Sequence, residues 1–161
     1  MLDAGEVDLV LSGQALNVGR TPNERLFEDQ FMCLTCNKHA PQKGHLSQKE
    51  FTQRCHVVVR YFENQMAFED EEILRRSTTQ RERHVSVWSY TLVPELICNT
   101  PMVATVMKRI AIKLAERWPI TMVPFPFAHE PVSVFAYLHP SRNSDPVLAQ
   151  LLSYIRSTLT A

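Results

Sequence analysis

Glycine is scarce in this chain, four residues in 161. A Gly-rich phosphate loop can hardly be built from so few, and no G-x-S-x-G nucleophile elbow occurs. No apolar run approaches the roughly 20 residues that span a bilayer. Neither a basic nor an apolar leader segment follows Met1, so no export signal is read and a cytoplasmic location is expected. Neither sign of charge is in excess, with 17 Lys and Arg against 17 Asp and Glu, so no nucleic-acid footprint is visible. Cysteines number four, and without an export signal they are expected as free thiols in a reducing compartment. What remains is 45% hydrophobic and 21% charged, enough for the core of one domain or of two small lobes sharing a chain.

The most informative stretch runs from His84 to Phe127. Val103, Met107, Ile110, Leu114 and Trp118 recur at spacings that share one face of a 3.6-residue period, which predicts a long amphipathic helix. The flanking runs Val85-Ser86-Val87-Trp88 and Ile120-Thr121-Met122-Val123 read as short buried strands. Strand, helix and strand at this length predict a βαβ unit. The loop Trp88-Ser89-Tyr90-Thr91-Leu92 then leaves the carboxyl end of the first strand, where open α/β sheets place ligands.

In order along the chain, Leu2 to Leu11 reads as a helix end, a Gly5 C-cap and a strand. A chain opening on the end of a helix is expected to lack what preceded it. Ser12 to Asp29 is polar and aperiodic, with Thr21-Pro22-Asn23 as a turn signal. Phe31–Cys36 is a strand, and 37–44 a loop. Ser47 and Glu50 match a capping box opening a short helix. His56–Val59 is a strand, and Gln65 to Gln80 a surface helix through Met66, Phe68, Ile73 and Leu74. Val132–Tyr137 is a further strand. Ser144-Asp145-Pro146 starts a last helix, with the serine as cap and Leu148, Leu151, Leu152, Ile155 and Leu159 as its buried stripe. Alternating strands and helices indicate the α/β class.

Few residues carry chemistry. Cys33 and Cys36, with His39, His45, Cys55 and His56, supply zinc-type ligands. However, Cys33 and Cys36 sit in a strand, where residues three apart point to opposite faces. Buried or half-buried thiols are therefore expected, with no metal and no redox CxxC. Glu69-Asp70-Glu71-Glu72 reads as a solvated helix face, and His129-Glu130 as an exposed bend. No catalytic residue is assigned and no enzyme is expected. The loop Trp88, Ser89, Tyr90, Thr91 is different, combining aromatic surface with hydroxyls as small-molecule pockets do. Thr100-Pro101, with Ala104-Thr105, is read as the start of the long helix, able to present amides to a ligand.

These residues together resemble the effector-binding domain of LysR-type transcriptional regulators. The likeness rests on Leu2, Gly5, Asp8 and Leu9, on Arg25-Leu26-Phe27-Glu28-Asp29-Gln30-Phe31, on Leu46-Ser47 and on Cys55-His56-Val57-Val58. It continues through Pro94 to Thr100, Met102-Val103-Ala104-Thr105 and Val123-Pro124-Phe125-Pro126, and its detail is most like the NodD-type nodulation regulators. The resemblance implies a periplasmic-binding-protein type II-like α/β domain with two lobes. Residues 1–42 and 126–161 would form an incomplete first lobe, and residues 43–125 the second. It implies a small-molecule effector, an aromatic phenol or flavonoid, bound between the lobes. Trp88, Ser89, Tyr90, Thr91, Arg60 and Thr100 are the implied contacts, with no cofactor. Transcription would be controlled through a winged helix-turn-helix that nothing here matches, so no direct nucleic-acid contact by this chain is expected. Effector binding would bias a bistable oligomer. Two further readings stand beside it. One is a ligand-free interaction module that self-associates or pairs with an intact regulator; the other is a small zinc protein. Asn99 departs from the pattern, standing where the family carries glycine, and Val106-Met107 replaces its leucine-proline.

Overall fold

The computed structural model describes Leu2 and residues 4–13, 23–60, 69–79 and 84–159. The chain divides into two compact units, residues 1–29 with 131–161, and residues 30–130. These borders differ from 42/43 and 125/126 because the strand at 31–36 pairs inside the second unit.

In the first unit, β1 (Leu9–Ser12) and β2 (Asn23–Asp29) both pair antiparallel with β8 (Val132–Leu138), which lies between them. The segment read as aperiodic thus contains a strand. Its ladder to β8, with a bulge between Arg25 and Phe27, makes a strand of a sequence whose one buried apolar side chain is Leu26. Helix α5 (Pro146–Leu159) packs Leu152 against Leu26 and Ala136. Its cap is Asp145 rather than Ser144. The Asp145 carboxylate accepts from the Val147 amide at 2.8 Å and the Leu148 amide at 3.4 Å, with Pro146 at the first helical position. Leu148 and Leu152 are buried, whereas Leu151 faces outward. Gly5 has φ +66° in a turn in which its amide donates to the Leu2 carbonyl. The turn signal at 21–22 lies outside the described residues.

The second unit is a five-stranded mixed sheet in the order β5-β4-β6-β3-β7. The strands are β3 (Phe31–Cys36), β4 (His56–Val59), β5 (His84–Val87), β6 (Val103–Met107) and β7 (Ile120–Pro124). β4 is parallel to β5 and β6, and β3 is antiparallel to β6 and β7. The predicted long helix is overturned in its first half, because Val103 to Met107 is a central strand. Val103, Ala104 and Val106 are all fully buried, so the run is apolar on both faces. Such a run has no period that separates strand from helix. The helix that follows, α4 (Lys108–Ala115), carries the crossover from β6 to β7, past β3. The strands at 84–87 and 120–124 therefore stand at opposite edges of the sheet. β5 is an exposed edge strand whose only buried residue is Val87, and not the buried strand its composition suggested.

One face of this sheet carries Leu34, Val57, Val59, Val87, Ala104 and Val106. They pack against Val93 and Ile97 of α3 (Val93–Ile97) and Ala111 of α4. The other face carries Cys33, Thr35, His56, Val103 and Val123, with the register putting Cys33 opposite both Thr105 and Val123. Helix α1 (Gln48–Gln53) covers part of this second face. Phe51 lies 4.4 Å from the His56 ring, 5.6 Å from Phe125 and 5.6 Å from Phe127, centroid to centroid. The capping box forms as the spacing requires: the Glu50 amide donates to Ser47 Oγ, and the Ser47 amide donates to the Glu50 carboxylate at 2.8 Å. Helix α2 (Glu69–Arg76) buries Leu74; residues 65–68 and 80 of the expected surface helix lie outside the described residues. No described helix is long and apolar enough to cross a membrane.

Candidate functional site

The parallel strands β4, β5 and β6 end on the same side of the sheet, and their carboxyl ends bring two of the expected residues together. Arg60 follows β4 and its amide donates to the Val87 carbonyl at 2.8 Å, so the β4–β5 ladder continues one step beyond the strand. Trp88 follows Val87 and is 63% exposed, an unusual placement for an indole that is not covering core. Arg60 and Trp88 are therefore neighbours at the same strand ends.

The other loop residues do different work. Ser89 caps a 3-10 turn over Tyr90–Leu92, its hydroxyl accepting from the Thr91 amide and lying 2.8 Å from the Thr91 hydroxyl. Tyr90 packs against the core on the α3 side. Thr100 lies at the opposite end of the sheet, before β6 begins. It does not open a helix, and Ala104 and Thr105 belong to β6. Its hydroxyl donates toward the Leu96 and Ile97 carbonyls at 2.8 and 3.1 Å and accepts from the Met102 amide, which closes the end of α3.

Sequence reading set Thr105 at the start of a helix, among backbone amides facing a ligand, and gave its hydroxyl no role. Its hydroxyl is buried and has no hydrogen-bond partner among the described residues. On the parallel register it neighbours Val58, which is paired with the exposed Ser86, so Ser86, Val58, Thr105 and Cys33 form one row across the sheet. Alternation along β4 puts Arg60 on the same face as Val58. Reading 103–107 as a strand would have found Thr105, since alternation then aims it away from Ala104 and Val106. An aromatic plane, a guanidinium and hydroxyls at adjoining positions can stack on and hydrogen-bond a hydroxylated or anionic ring.

The Asn99 departure has a structural answer. Cys98 has φ −59° and ψ 132°, Asn99 has φ +60°, and the Thr100 amide donates to the Ile97 carbonyl at 3.1 Å. This is a type II turn, which demands positive φ at its third residue, and asparagine tolerates that region better than other residues with a Cβ. The turn is retained without glycine.

No family model matches the chain. Nodulation protein D 1 of Sinorhizobium fredii is 25% identical over 147 residues, covering 91% of this chain and 45% of that protein. The chain thus spans just under half the length of the relatives it matches. The regulatory domain of MexT, a transcriptional activator of Pseudomonas aeruginosa, superposes with a TM-score of 0.81 at 19% identity, over 97% of this chain and 74% of that one. The effector binding domain of a BenM variant superposes with a TM-score of 0.77 at 10% identity, over 99% of this chain and 76% of that one. Other solved structures of this fold are LysR family regulators. The chain is a relative of the nodulation D proteins and has the periplasmic-binding-protein type II fold of LysR regulatory domains.

Proposed function

We propose that this chain is the effector-sensing part of a LysR-type transcriptional regulator of the nodulation class, acting within a longer protein. The two compact units correspond to the two lobes of such a domain. The observation that carries the reading is the meeting of Arg60 and Trp88 at the carboxyl ends of β4 and β5. An aromatic phenol of the flavonoid class suits this lining. Trp88 supplies a stacking surface, and Arg60 meets phenolic oxygens. Ser89, Tyr90 and Thr91 shape the adjoining turn rather than touch the effector, and Thr100 closes the end of α3 at the other end of the sheet. Titration of the chain with hydroxylated flavones, followed by calorimetry, tests this. Trp88→Ala and Arg60→Ala are each expected to weaken binding about tenfold, the equivalent of one lost stacking or charge-assisted contact. Unchanged affinity in both variants would refute the assignment.

A second reading, an interaction module, is favoured by one observation. Val147, Leu151 and Tyr154, at 70%, 42% and 69% exposure, lie four and three residues apart on the outer face of α5. That spacing makes an apolar stripe roughly 100° round the helix from the buried Leu148 and Leu152. Light scattering separates the readings. Self-association abolished by Leu151→Glu with Tyr154→Glu supports the module, and a flavone-stabilised monomer counts against it.

A further inference from the structure

Cys36 and the turn that carries Cys98, distant in sequence, meet at the end of the 30–130 sheet away from Arg60 and Trp88. Cys36 closes β3, and Cys98 is the second residue of the type II turn after α3. The Asn99 amide donates to Cys36 Sγ at 3.2 Å. Ordinary bond lengths then place that sulfur no more than about 6 Å from the Cys98 Cα. Cys36 is buried and Cys98 only partly so, which makes Cys98 the thiol that solvent reaches first. Lys38 holds the same turn from outside, its ammonium donating to the Asn99 side-chain oxygen at 2.9 Å.

We propose that Cys36 and Cys98 are a reversible dithiol–disulfide pair, a redox modification site tying the end of β3 to the end of α3. The oxidant class is a low-molecular-weight disulfide. The Cys98 thiolate attacks one sulfur of that disulfide, forms a mixed disulfide and expels one thiolate. The Cys36 thiolate then attacks the Cys98 sulfur, closes the internal bond and expels the second. Two protein thiols lose two electrons and two protons, and the small disulfide leaves as two thiols. A disulfide requires Cα atoms about 4.4–6.8 Å apart, so closing the bond takes rotation about both side chains and at most a small shift of the turn that holds the Asn99 amide on Cys36 Sγ. Burial, and after it the neighbouring Cys36 and Glu95, hold the Cys98 thiol above its ordinary range. Attack needs the thiolate, so the first step is slow at neutral pH and speeds up as pH rises into the alkaline range. The pair therefore responds to sustained oxidation and not to a brief pulse.

Oxidised glutathione is the probe. The full chain, reduced and then incubated with it at pH 7 and pH 9, is alkylated, digested and mapped by mass spectrometry. The expected product is a Cys36–Cys98 linked peptide pair, formed several-fold faster at pH 9, with a raised urea midpoint and full reversal by dithiothreitol. In Cys36→Ser the glutathione adduct should persist on Cys98, because nothing resolves it. Should that variant fail to fold, the wild-type map alone decides. A lasting glutathione adduct on wild-type Cys98, linkage to Cys33 or Cys55, or four thiols still free at pH 9 would overturn the proposal.

Discussion

Asn99 shows how much one residue's dihedral angle can ask of its side chain. Its φ of +60° completes the turn that carries Cys98 and Thr100, and its side chain takes a bond from Lys38. Glycine there would relieve a Cβ penalty but lose that bond and add freedom to the unfolded chain. The two effects are similar in size, so Asn99→Gly is expected to leave stability within about 0.5 kcal/mol. Asn99→Val should cost about 1–2 kcal/mol or more, since a β-branched residue is strained in the left-handed region. Urea unfolding of the two variants measures the difference, and a valine variant as stable as the parent would refute the turn assignment. Thr105 teaches the complementary lesson. Its identity is plain in the sequence, yet its role depends on which element contains it.

At the scale of elements, α1 is the most legible piece, because its start is written in a four-residue code. Ser47→Ala removes the acceptor for the Glu50 amide and is expected to cost about 1 kcal/mol. The Ser47 hydroxyl, and next its backbone amide, hold the Glu50 carboxyl below the ordinary glutamate range. A carboxyl lowered in the folded state stabilises above its unfolded value, and that contribution fades as pH falls through the folded one. Carboxyl-carbon NMR should therefore find Glu50 titrating below ordinary glutamates, and moving up in Ser47→Ala. An unmoved Glu50 would mean that the box is not formed in solution. β6 was illegible for the opposite reason. Buried on both faces at the centre of a sheet, it has no alternation to display, and Val103 and Met107 happen to fall in phase with Ile110 and Leu114 of the helix behind it. β2 was missed because its backbone ladder, more than its side chains, makes it a strand.

At the scale of the molecule, the second unit is one continuous segment with its own core, whereas the first is assembled from both ends of the chain. The ends of the 30–130 segment are fastened together. The Phe31 amide donates to His129 Nε2 at 3.2 Å, and the other ring nitrogen lies 3.0 Å from the Phe127 carbonyl. Both ring nitrogens are engaged by backbone, and the ring packs 5.5 Å from Phe31 and 5.5 Å from Phe125. His129 is thus a structural clasp and not the exposed bend its flanking prolines suggested. Residues 30–130 alone are expected to unfold cooperatively with a dispersed amide spectrum, while residues 1–29 alone should not fold, because β1 and β2 meet only through β8. A collapsed spectrum for the 30–130 fragment would refute the unit's independence.

The amino-acid sequence alone determined the α/β class, the strands at 31–36, 56–59 and 132–137, the capped start of α1, and the likeness to LysR effector domains. Each of these rests on neighbours within a few residues, on turn chemistry, or on the order of short motifs. Only the tertiary structure decided that Val103–Met107 is a strand, that β5 is an edge, that Thr105 shares a sheet face with Val58 and Cys33, and that Cys36 meets the turn after α3 through the Asn99 amide. Those facts depend on which strands pair. Pairing is chosen by burying apolar surface across long stretches of chain, a choice that no local pattern records.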